Sequence, residues 1–504
     1  MTIIQKKKKP RFKSKNPTPP NLEVKKSAIL TVKERFFSSL ASKLVIIRRG
    51  VDIGIILTQF LLLFGGFFHR VEKEFMDFKR TELANGLRVV MVPIPSLESA
   101  TVTVWVGVGS RAEEDKIAGI SHFLEHMVFK GSKKRPTARA ISEAVDEIGG
   151  EFNAATSKEW TNFYIKARSG KLDLAFDVLS DMVLNPLLQE AEIEKEKGVI
   201  VEEMAMYEDT PIMKIGDIFE QLIFTGNSLG RDIIGTPKSV RGIKRDDFER
   251  YRNRHYYAEN IVVTVAGRVK EKDALALSEK YFGGLKKSGL SEERKYKFEN
   301  VQKNPRVLLK TKKNEQAHLI LGFLAGKRGD KERFPEAILG AILGGGMSSR
   351  LFSEVREKRG LAYSIKTSLD HFVDTGEFAS YAGVDVAKAE EAIAVMLDVH
   401  YKLAKNGSEI TEREFNKAKE YLKGHLALSL EDTKDVNYLF GENELMLGKI
   451  ETPEKIFEEI DKVKVEDIYS LARKLFKPDR LNLAIIGPYN NPVRFERIIK
   501  NFKF

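Results

Sequence analysis

Residues 120–131 read ISHFLEHMVFKG, and inside them lies His122-x-x-Glu125-His126. At about 100° per residue, a helix sets His122, Glu125 and His126 at about 0°, 300° and 40° around its axis, and Phe129 joins them at about 340°. Ile120, Phe123, Leu124 and Met127 fall on the other side. One face can pack while the opposite face presents two imidazoles and a carboxylate. Two histidines four residues apart can grip one Zn²⁺, and a glutamate between them can work on a water. With 8 His in 504 residues, such a pattern arises by accident in roughly 1% of chains. Gly131 is expected to stop the helix.

Outward from this stretch the chain reads as two halves of similar plan. The first opens with LRVVMVPI and ATVTVWVGV, the second with RVLLKTK and AHLILGFLA, all β-branched runs that predict paired strands. Helical patterns follow at 117–130, 137–148, 171–185 and 189–208 in one half, and at 334–343, 349–359, 386–405 and 411–430 in the other. Both halves close alike, with Asp247 and Gly267 spaced as Asp467 and Gly487 are. The pattern predicts an α+β fold of two tandem homologous domains, 78–285 and 305–504, joined by a polar linker at 286–304. Each should be a mainly antiparallel sheet with helices on one side.

The apolar content of 42% and charged content of 31% fit a globular body. There is no cysteine, so a metal site must use His, Asp or Glu. The net charge of +12 is uneven. Residues 1–75 carry 16 Lys+Arg against 5 Asp+Glu, leaving 68 against 67 in the rest. A basic arm on a nearly neutral body points to a membrane surface rather than to nucleic acid. Residues 5–20 are basic, Pro-rich and expected to be disordered. Residues 53–68, IGIILTQFLLLFGGFF, carry no charge and would reach about 24 Å as a helix, against a hydrocarbon core of roughly 30 Å. They are expected to anchor the chain to a membrane, with an in-plane or buried helix and a cytoplasmic location as the alternatives.

A zinc ion held by two histidines needs a third ligand and one open position. The acidic helix at 190–208 offers Glu192, Glu194, Glu196, Glu202, Glu203 and Glu208. Composition does not choose among them, but Glu196 and Glu203 are seven apart and share a face. In the second half, GGGMSS lacks the Gly-Lys-Ser/Thr ending of a phosphate loop.

The inverted motif H-x-x-E-H and its surroundings, GISHFLEHMVFKGSKKRP, resemble the pitrilysin family of zinc metallopeptidases, which includes insulin-degrading enzyme and the mitochondrial processing peptidases. The resemblance continues in FNAATSKEWTNFYIKA (152–167), EAEIEKEKGVIVEEM (190–204) and GGGMSSRLFSEVREKRGLAYS (344–364). It implies one Zn²⁺ held by His122, His126 and Glu203, with Glu202 as the alternative third ligand. Glu196 would support the site by hydrogen bonding, and Glu125 would be the general base. It implies that Arg356 and Tyr363 hold the substrate backbone and the developing oxyanion. Asn153, Ala154, Ala155 and Thr156 would form an edge strand that pairs with an extended peptide, and Phe129 would line the pocket beyond the cut. The expected activity is metalloendopeptidase cleavage of peptides or unfolded segments; the alternative is a catalytically silent scaffold or partner subunit. Larger relatives close four such domains into a chamber. Two domains would be half of that clamshell, so a homodimer is expected, or a heterodimer with a related subunit. Processing-type relatives hold substrate arginine with acids at positions that look like Met213 and Asp217 here, so general peptide cleavage is the expectation.

Overall fold

The computed structural model describes residues 76–288, 296–406 and 410–502. The basic arm, its apolar stretch at 53–68 and residues 289–295 of the linker lie outside them. Among the described residues, no helix is long and apolar enough to cross a membrane.

The first half begins with β1 (Lys79–Glu82), β2 (Arg88–Pro93) and β3 (Ser99–Val106), followed by helices α1 (Ile120–Val128) and α2 (Ala138–Asp146). After β4 (Glu151–Thr156) and β5 (Thr161–Arg168) come α3 (Leu172–Leu184), α4 (Glu190–Asp209), α5 (Pro211–Ile223), α6 (Pro237–Gly242) and α7 (Arg245–His255). Then β6 (Ile261–Gly267) and α8 (Glu271–Phe282) complete it. The second half repeats the plan with β7 (Arg306–Thr311), β8 (Gln316–Ala325), α9 (Arg333–Gly344) and a π-helical turn at Phe352–Glu357. It continues with β9 (Ala362–His371), β10 (Gly376–Asp385), α10 (Ala389–Asn406), α11 (Glu412–Ser429), α12 (Thr433–Leu447), α13 (Pro453–Lys462) and α14 (Val465–Leu475). It ends with β11 (Asn482–Gly487) and α15 (Val493–Asn501).

Apart from the additional edge strand β1, the sheets share one order: β1-β2-β6-β3-β5-β4 in the first half and β7-β11-β8-β10-β9 in the second. In each, one pair is parallel, β2 with β6 and β7 with β11, and the other pairings are antiparallel. Strand β3, SATVTVWV, is buried at every position after Ser99, which requires cover on both faces of its sheet. One face carries the helices of its own half. The other receives a helix lent by the opposite half. From the second half, α12 brings Val436, Phe440 and Leu445 onto Val90, Val92, Trp105 and Val262. From the first half, α5 brings Ile215, Ile218, Phe219 and Ile223 onto Ile320, Ala379, Tyr381 and Ala484. The approach is close: a Cβ on Gly441 of α12 would sit 2.2 Å from the Trp105 indole nitrogen.

Polar ties join the halves as well. Buried Arg111 donates to Glu159 at 2.6 Å and to both carboxylate oxygens of Asp374 at 2.7 and 2.8 Å. The Asn437 amide donates to the Thr101 carbonyl oxygen at 2.7 Å.

Candidate active site

Helix α1 is fixed at both ends. Its first N–H groups are met by the Glu113 carboxylate, which accepts from Gly119 N at 2.7 Å and Ser121 N at 2.8 Å; burial outweighs these bonds and pushes the carboxyl up to about 7. The helix ends at Val128, with Phe129 as its C-cap, while Gly131 holds φ 139° beyond it. Phe129, at φ −85° and ψ −6°, keeps a helical backbone one residue past that end. It packs against Phe152 of β4, ring centres 5.5 Å apart. Ile120, Phe123, Leu124, Met127 and Val128 are buried in the core of the first half.

The opposite face of α1 meets α4. His122, His126 and Glu203 offer ligand atoms that all lie within 4.8 Å of one another. His122 Nε2 is 3.8 Å from Glu203 Oε1, and His126 Nε2 is 3.5 Å from Glu203 Oε2. Glu202, the alternative, is exposed and outside the cluster. Burial, and then the neighbouring His126, pushes His122 down to about 3, so its ring is neutral and keeps a lone pair. Three acceptor groups facing one another, with no donor of their own between them, are the donor set a divalent cation takes.

Glu196, one heptad before Glu203 on α4, meets His126 Nδ1 at 2.9 Å through Oε1 and Lys130 Nζ at 2.6 Å through Oε2. Burial opposes the charge of Glu196, but these two hydrogen bonds hold its carboxyl below the usual range. An acceptor at Nδ1 fixes the His126 tautomer, with Nε2 free toward the cluster. Glu125 lies on the same face of α1. Burial pushes its carboxyl up, and its Oε2 accepts from Thr156 Oγ1 at 2.5 Å.

Thr156 closes β4, the outermost strand of its sheet, whose outer edge is unpaired among the described residues. Asn153 is exposed, and Ala154 and Ala155 are half-buried along that strand. Arg356 stands on the π-helical turn, its guanidinium 5.3 Å from the centre of the Tyr363 ring and 4.7 Å from that of Phe352. Tyr363 is 76% exposed. Among the described residues, no hydrogen bond or ion pair ties this pair to the histidine cluster. Asp217 is engaged within the chain, meeting Lys214 Nζ at 3.1 Å.

Two further contacts at the site have a sequence signal that the motif reading passed over. Lys130 is four residues after His126, and Tyr207 is four after Glu203. Both spacings put the pair on one helical face or its continuation. Tyr207 is hydrogen-bonded to Glu203, and burial and that charge push its phenol up.

Residues 88–237 match the family model described as insulinase, peptidase family M16, and residues 242–422 match the one described as the peptidase M16 inactive domain. Together the matches span more than half of the chain. The chain belongs to peptidase family M16. Relatives of this M16 protein include YmxG of Bacillus subtilis, 38% identical over 82% of this chain and 99% of its own length. Another, from Mycobacterium leprae, is 39% identical over 81% of this chain and 92% of its own. Both are described as uncharacterized zinc proteases. A solved structure described as a protease from Helicobacter pylori matches with a TM-score of 0.76 at 26% identity, covering 82% of this chain and all of that one. A peptidase M16 inactive domain from Pseudomonas fluorescens matches with a TM-score of 0.75 at 20% identity, over 82% of this chain and 99% of that one, and supports the fold alone. The M16 assignment makes this a member of a metallopeptidase family with two tandem α+β domains.

Proposed function

We propose that this chain is a zinc-dependent metalloendopeptidase acting on peptides and unfolded segments. The observation that carries the reading is the convergence of His122, His126 and Glu203, with Glu125 on the same face of α1. A zinc ion, when bound, supplies Lewis acidity toward a carbonyl and acidity toward water. The two Nε2 atoms and the Glu203 carboxylate would hold it, and Glu196 fixes the ring of His126. Thr156 occupies Glu125 Oε2, which leaves Oε1 to take a proton from the attacking water and return it to the leaving amine. The free edge of β4 pairs with the extended substrate backbone, and Phe129 with Phe152 forms the wall beyond the cut. Arg356, stacked on Tyr363, presents donors for the substrate carbonyl.

The silent-scaffold alternative is disfavoured by the intact His122, Glu125 and His126. With Asp217 held by Lys214, the site has less to offer a substrate arginine, which favours general peptide cleavage. Assembly as a homodimer, or with a related subunit, and membrane association through residues 53–68 belong to the same proposal; sedimentation mass and membrane fractionation test them. The decisive experiment measures zinc content and cleavage of a quenched peptide for the wild type and for Glu125→Gln. Zinc in both with cleavage only in the wild type is expected; equal cleavage by the variant removes the mechanism.

A further inference from the structure

Large apolar side chains that stay exposed are concentrated on two segments. Nine stand out among the described residues, and four of them, Val199, Met206, Ile212 and Met213, fall within residues 199–213. Two more, Met347 and Tyr363, flank Arg356. Scattered exposed apolar residues need no explanation, but a concentration within one short stretch of chain does.

On α4, about 100° per residue places Val199, Glu203 and Met206 at about 0°, 40° and 340°, one narrow stripe. The carboxylate that faces both imidazoles is thus bracketed by apolar side chains that are 50% and 52% exposed. The rest of α4 is dense in Glu and Lys, so these two positions depart from an otherwise solvated surface. Ile212 and Met213 are also exposed, on the first turn of α5 that follows α4 after Thr210, before Lys214 and Ile215 turn inward.

Nearby acids are matched by this chain's own lysines. Glu208 pairs with Lys310 and Lys214, Asp209 with Lys312, and Asp217 and Asp232 with Lys214. Glu202, next to Val199 and Met206 at about 300°, is exposed. Such a surface attracts apolar side chains over basic ones, and methionine adapts to varied partners.

We propose that the stripe formed by Val199, Met206, Ile212 and Met213 receives apolar side chains of an extended polypeptide, so that the site selects unfolded segments rich in Leu, Ile, Val, Phe or Met. The inference rests on the peptidase reading above, and binding separates the two. Two labelled peptides of equal length, one with Leu and Phe around the central bond and one with Arg and Ser there, are titrated by anisotropy into the full-length Glu125→Gln protein. The apolar peptide is expected to bind ~10-fold or more tightly. Adding Met206→Glu and Met213→Glu should bring the two within about twofold, with zinc content and sedimentation mass unchanged; Met206→Gln with Met213→Gln serves if the charged variant does not fold. Equal binding by the parent protein, or tighter binding of the basic peptide, overturns the proposal. So does a variant that keeps its selectivity but loses sedimentation mass, because the stripe is then a contact between two copies. Selective binding by a wild type that cleaves neither peptide would instead remove the peptidase reading and leave this one standing.

Discussion

After β3 in one half and β8 in the other, the chain builds a helix over its sheet, α1 and α9, and the two helices meet their edge strands differently. Helix α9 lies flat on β9. A Cβ on Gly344 would sit 2.4 Å from the Thr367 backbone nitrogen, and one on Gly340 would sit 2.6 Å from a Leu369 methyl. Nothing larger than hydrogen fits there. Helix α1 keeps His122, Glu125 and His126 toward α4, and the hydroxyl of Thr156 on β4 reaches Glu125. The same scaffold thus gives a polar cleft where the helix carries long polar side chains and a closed joint where it carries glycine. A duplicated fold can therefore present a polar face on this helix in one copy and a packed joint in the other, because the choice lies in one helical face.

The largest test of that contrast is Glu125→Gln, which should lower kcat/KM by about 10³-fold while zinc measured on the purified protein stays at one per chain. Next, Glu196→Gln removes the anion that orients His126, and chelator competition should show zinc held about 10- to 100-fold more weakly. Comparable loss from a substitution in α9 would mean the two helices are not divided as described. Gly344→Val forces a side chain into the closed joint. It should cost about 1–3 kcal/mol in denaturant unfolding and leave zinc affinity unchanged. The smallest effect lies where the halves meet. Glu220 of α5 and Glu377 of β10 are a carboxyl from each half beside Lys158, whose Nζ is 2.7 Å from Glu220. Burial raises both, Glu220 to about 7 against the pull of Lys158, and Glu377 with the added charge of Glu220. The folded protein keeps protons there that the unfolded chain releases, so stability should fall as pH rises from about 4.5 through about 7. Glu377→Gln should flatten that slope, by about 2 °C in melting temperature across the window.

Much of the site was legible because its parts are local. His122, Glu125 and His126 lie within one and a half turns, and the seven-residue spacing of Glu196 and Glu203 puts both on one face whatever the tertiary fold. The duplicated strand patterns likewise pointed to two similar sheets. Sequence spacing failed at element ends and across long separations. The helical pattern at 117–130 became a helix over only Ile120–Val128, with Phe129 as its C-cap. The turn bearing Arg356 is π-helical, a local rewinding that no apolar periodicity announces. The exchange of α5 and α12 was hidden for a different reason. Neither is among the helical patterns read from the sequence, and nothing in local spacing says which sheet a helix will cover.

That exchange has a consequence for how the protein is made. When the first half has left the ribosome, Val90, Trp105 and Val262 still await residues 433–447, which emerge later. Until then one face of the first sheet lacks its apolar cover, and slowed synthesis across that interval would favour aggregation.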